Sequence, residues 1–138
     1  MLKQCTDADL WYKKDDKFDR PKSVVSMKIY TQDCDLGKKP ESMVFMNLWT
    51  YVQNEYLREF NYMADCANLH FSLNVMYDNL GLTWSGFNDS MPNYITESIA
   101  KLQSMPQEDL RQIFDQVKEK LLIDWKNCYL IQSYQQAF

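Results

Sequence analysis

The feature that most constrains the fold is a change of period at Asn68. Before it, Phe45, Trp49, Val52, Tyr56, Phe60, Met63 and Ala67 recur at intervals of three and four, one stripe of a long helix. After it, Leu69, Phe71, Leu73, Val75 and Tyr77 alternate with His70, Ser72, Asn74 and Met76, the period of a half-buried strand. Asn tolerates the left-handed backbone that closes a helix, so the helix is expected to stop at Asn68. Beyond Asp78-Asn79 the alternation resumes with Leu80, Leu82 and Trp84. Two such runs joined by a short polar turn predict a β-hairpin. Hairpin strands rather than βαβ crossovers place the chain in the α+β class.

The flanks fit around this centre. Leu10 to Lys14 reads as a short strand. Ser23 to Thr31 reads as a better one, with Val25, Met27 and Ile29 on one face and Ser26 and Lys28 on the other. Asp15 to Lys22 is turn material, and Pro21 pushes Arg20 towards an extended backbone. Gly37 to Pro40 is a second break, with the long helix starting at Glu41. After the hairpin, Asp89 or Ser90 is a natural N-cap, and Pro92 sits in the first turn, where its missing N–H costs little. Ile95, Ile99 and Leu102 are the expected buried side of that helix, and Pro106 ends it. A last helix begins near Gln107, with Glu108 and Asp109 suited to its positive end. Its apolar face is Leu110, Ile113, Phe114, Val117, Leu121 and Trp125. The predicted order is ββαββαα, an antiparallel sheet packed against helices in a single domain.

The chain is 46% hydrophobic and rich in Tyr, Phe and Met, a composition that argues against disorder. Its net charge of −4 is spread among interleaved acids and bases, so no basic face points to nucleic acid. No apolar run approaches the ~20 residues needed to span a bilayer, and Met1 to Asp7 lacks a signal-peptide core. A cytosolic location follows as an expectation. Cys5, Cys34, Cys66 and Cys128 contain no Cys-x-x-Cys pair and are expected to be free, mostly buried thiols.

Candidates for chemistry are few. His70 is the single histidine, and it lies on the polar face of a strand with no nucleophile motif nearby. A zinc peptidase motif needs two histidines one helical turn apart. Three glycines leave no phosphate cradle. Asp15-Asp16 lies among Lys13, Lys14, Lys17 and Arg20, the pattern of a self-neutralising surface turn. Asn88-Asp89-Ser90 matches a glycosylation triplet but is explained as a helix cap. The aromatics Trp49, Tyr56 and Phe60 sit at core spacing. The residues by themselves yield no catalytic, cofactor-binding or metal site.

Three stretches carry a resemblance. Leu10-Trp11-Tyr12-Lys13-Lys14-Asp15-Asp16-Lys17-Phe18 is followed by Pro21-Lys22 and a strand. Asn54-Glu55-Tyr56 is followed by Tyr62 to Leu69. Gly86-Phe87-Asn88-Asp89-Ser90 is followed by Pro92. In this order and spacing the chain, from about Leu10 to its C-terminus, resembles the third, or middle, domain of the insulinase or pitrilysin-type zinc metallopeptidases. Asn68 stands where that family usually has Gly, and Ser90 where it has Lys. The resemblance implies a zinc metalloendopeptidase built of four related domains around a chamber, with zinc and its inverted histidine motif in the first domain. It implies that this chain is a partial domain, truncated at both ends, forming chamber wall and inter-domain packing without a site of its own. Its partners would be the sister domains and the enclosed peptide substrate, with zinc bound outside this chain and neither nucleic acid nor membrane involved. The alternatives are a catalytically inactive homologue acting as a structural or partner subunit, and a stand-alone binding domain.

Overall fold

The computed structural model describes residues 3–4, 8–31, 39–76 and 78–127. Their order is β1 (Lys3–Gln4), β2 (Asp9–Leu10), β3 (Lys22–Tyr30), α1 (Pro40–Tyr56), α2 (Arg58–Cys66), β4 (His70–Val75), β5 (Asn79–Phe87), α3 (Met91–Gln103) and α4 (Gln107–Asn127). β1 and β2 form a small antiparallel pair, and β3, β5 and β4 lie in that order in an antiparallel sheet. The fold is α+β.

Register stacks the apolar residues of the sheet in three rungs. Val25, Trp84 and Phe71 form one, Met27, Leu82 and Leu73 the next, and Ile29, Leu80 and Val75 the third. Successive side chains of a strand point to opposite faces, so these nine share one face. α1 and α2 pack on β4, and α3 on β5. Leu73, Leu82 and Trp84 are buried there with Leu69, Met91 and Tyr94. Trp84 donates its indole N–H to Ser98 Oγ at 2.8 Å, and Ser98 Oγ donates to the Ile95 carbonyl at 3.0 Å. The only polar atom of this large side chain is thereby satisfied. A second cluster joins Val52 of α1 to Val117 and Leu121 of α4, flanked by Leu48, Met105 and Ile113.

Two tight backbone sites fix the hairpin to α2. Asn68 takes φ +58°, the left-handed helix ending expected from the sequence. Gly86 takes φ +152°, and a Cβ there would lie 2.5 Å from the Asn68 carbonyl oxygen and 2.7 Å from Leu69 Cδ2. Only glycine meets both conditions without strain.

Several expectations are corrected. The strand expected from Leu10 to Lys14 is only Asp9–Leu10, because among the described residues no strand or apolar layer covers Trp11 and Tyr12, which are exposed. Pro40 opens α1 at its first turn instead of belonging to a break, the position where a missing N–H is free of cost. The long helix is two, divided at Leu57. Both neighbouring backbone bonds survive, Leu57 N–H to the Gln53 carbonyl at 2.9 Å and Asn61 N–H to the Leu57 carbonyl at 2.8 Å. The division lets α1 turn Val52 to α4 while α2 turns Phe60 and Ala64 to the sheet. The single stripe therefore does not stay buried, and Phe45 and Met63 are exposed.

In α3 the fully buried positions are Met91, Tyr94 and Ser98, with Ile95, Ile99 and Leu102 at the margin of the core. Ser90 holds the N-cap position in the αR region, with no side-chain cap bond. An extended cap residue is what lets the hydroxyl reach back to the first turn. In α4, Val117 and Leu121 are buried while Leu110, Phe114 and Trp125 are exposed. Cys66 is an exposed free thiol rather than a buried one, since α2 buries none of its residues fully. Cys5, Cys34, Cys128 and Tyr77 lie outside the described residues.

Candidate docking surfaces

Among the described residues the chemistry-bearing side chains do not converge. His70 lies on the edge strand β4, and its Nδ1 is 2.7 Å from Asp65 Oδ1, with both side chains more than half exposed. The pair ties the end of α2 to the start of β4, and two exposed groups of this kind contribute little. Among the described residues no group of three or more His, Cys, Asp or Glu side chains could hold a metal ion. Asp15 Oδ1 accepts from the backbone N–H groups of Lys17 at 3.0 Å and Phe18 at 3.2 Å. It shapes an exposed Asx turn. Tyr94 donates to Asn61 Oδ1 at 3.0 Å. Burial pushes its hydroxyl up to about 12, and the charge of Asp65 adds to the shift.

Two hollows border α4. One, of about 260 Å³, is polar and includes Glu55, Arg58, Glu59, Asp109 and Gln112, with Arg58 bonded to Glu55 at 2.8 Å across one turn. The other, of about 430 Å³, is an apolar groove between α1 and α4, floored by Val52 and walled by Phe45, Leu48, Trp49, Leu110 and Phe114. Arg111 and Asp115 stand at its rim. Phe45 is 69% exposed and Trp49 37%, so the aromatics of the helical stripe do not complete a core here. They present open apolar surface, continuous through Val52 with the second buried cluster. Surface of this kind marks a place for a partner. Sequence periodicity identified these side chains as apolar but could not show that their face stays uncovered.

A family model described as the middle or third domain of peptidase M16 matches residues 1–138. The chain is 28% identical over 141 residues to insulin-degrading enzyme-like 2 of Arabidopsis thaliana, covering 99% of this chain and 14% of that protein. It is 30% identical over 131 residues to the A-factor-processing enzyme of Saccharomyces cerevisiae, covering 94% of this chain and 12% of that protein. With human insulin-degrading enzyme the identity is 25% over 137 residues, covering 99% and 13%. The chain thus spans about one seventh of the length of such relatives. No helix among the described residues is long and apolar enough to cross a membrane.

Proposed function

Since the chain belongs to the family of peptidase M16 middle, or third, domains, we propose that it serves a zinc metalloendopeptidase as a non-catalytic wall. As a partial domain it helps enclose peptide substrate, holds bulk solvent away and packs on sister domains. The observation that carries this reading is the extent of the likeness. All 138 residues match a middle domain, while the relatives are about seven times longer. The α1–α4 groove supports it, because a wall segment needs apolar surface to grip its neighbours.

The described residues do not fit the zinc ion of such peptidases. His70 is the sole histidine, its Nδ1 faces Asp65, and no cluster of three candidate ligands exists among the described residues. The metal of insulinase-type peptidases would therefore be held outside this chain, and no step of hydrolysis is assigned to its side chains.

The test is metal analysis and a peptide-cleavage assay on the purified chain supplied with zinc. The expected result is no stoichiometric zinc and no cleavage. One tightly held zinc per chain, or turnover of a peptide, would overturn the reading.

A further inference from the structure

Gln53 is a buried amide with a poor partner. It lies on α1 at 4% exposure, and its Nε2–H donates to Met105 Sδ at 3.7 Å. Among the described residues nothing donates to its Oε1. A thioether is a weak acceptor, and leaving a buried amide poorly bonded is destabilising. Gln53 is thus held beside a sulfur that satisfies little of its hydrogen-bonding capacity.

Met105 lies in the connection between α3 and α4, with exposed Ser104 and Pro106 on either side. It is itself half-buried and packs against Val52, Val117 and Leu121 of the second cluster. A small oxidant can therefore reach a sulfur that already faces an N–H. These contacts lie within the chain and do not depend on the assignment to a peptidase.

We propose that Met105 is an oxidation site whose sulfoxide is received by the Gln53 amide. The co-reactant is hydrogen peroxide. The sulfur lone pair takes up one peroxide oxygen, the S–O bond forming as the O–O bond breaks, and water leaves with the proton of the transferred oxygen. Sulfur is oxidised and the peroxide reduced, with no further reagent. The new oxygen stands one bond length out from the sulfur. In a bent N–H···O–S arrangement it meets the Gln53 nitrogen at about 2.9 Å, while the sulfur stays near its present 3.7 Å from Nε2. The contact therefore already suits the oxidised form. A sulfoxide ordinarily disrupts apolar packing, but here its oxygen enters beside a buried donor. Oxidation replaces a loose tie between α1 and the α3–α4 connection with a firmer one, and reduction to the thioether undoes it.

The purified chain is treated with hydrogen peroxide, and peptide mass spectrometry locates the added oxygen. In the nitrogen-labelled wild type the Gln53 side-chain amide signal is expected to shift downfield once Met105 is oxidised. It should not move in Met105→Leu treated alike. Urea midpoints before and after oxidation are then compared between the wild type and Gln53→Leu, which removes both polar ends of a buried side chain. The other methionines are common to both chains, so their contributions cancel. The midpoint of Gln53→Leu is expected to fall about twice as far as that of the wild type, because its sulfoxide finds no donor. Equal falls overturn the proposal, and so does an unmoved amide signal in the oxidised wild type. So does a Met105 left unoxidised while the exposed Met27, Met63 and Met76 react.

Discussion

Gly86 is the residue at which the fold has least freedom. A methyl group there would press on the Asn68 carbonyl oxygen at 2.5 Å, which is backbone and cannot swing aside, and the residue would also have to hold a positive φ. Gly86→Ala is expected to lower stability by about 3 kcal/mol in urea denaturation, the sum of overpacking and backbone strain. Asn68, opposite it, was legible from sequence because the period changes there. The demand on Gly86 was not, since a close approach between two distant segments leaves no periodic trace.

Tyr94 gives the molecule a response to alkali. Its hydroxyl titrates at about 12 in the folded chain against 10.0 ordinarily. Below pH 10 both states keep the proton. Between pH 10 and 12 the unfolded chain loses it first, so stability falls as pH rises. The loss is on the order of 1–2 kcal/mol. Thermal melts of the wild type and Tyr94→Phe across this window should converge as pH rises. Parallel curves would remove Tyr94 as the cause.

Among the elements, the hairpin and α3 are held far more firmly than α4. β5 is paired on both sides and buries Asn79, Leu82, Trp84 and Gly86, whereas α4 buries only Val117 and Leu121 among its described residues. Segments with few buried contacts open at lower free energy. Hydrogen exchange is expected to protect the β5 amides at least about tenfold more strongly than those of α4. Equal protection would mean that α4 is part of the same cooperative unit.

The elements were read best where periodicity was reinforced by a stop signal, as at Asn68 and Pro106. They were read worst where tertiary contact decides. The division at Leu57 goes with a difference in neighbours: both helices pack on β4, but α1 also packs on α4. The two-residue extent of β2 goes with the exposure of Trp11, which no described residue covers. Neither cause is local to the residues concerned.

At the scale of the whole molecule, two apolar clusters share no buried member. One lies between the sheet and α2 and α3, the other between α1 and α4. The class and the hairpin could be inferred from alternation alone. The groove could not be, because a stripe of Phe, Leu and Trp has the same spelling whether or not another surface lies against it.

The interruption at Leu57 has a mechanical meaning. With the hydrogen bonds on either side of it intact, α1 and α2 behave as one bent beam running from the groove to the sheet. Any load that tilted α1 at Trp49 would therefore bear on β4, against which both helices pack.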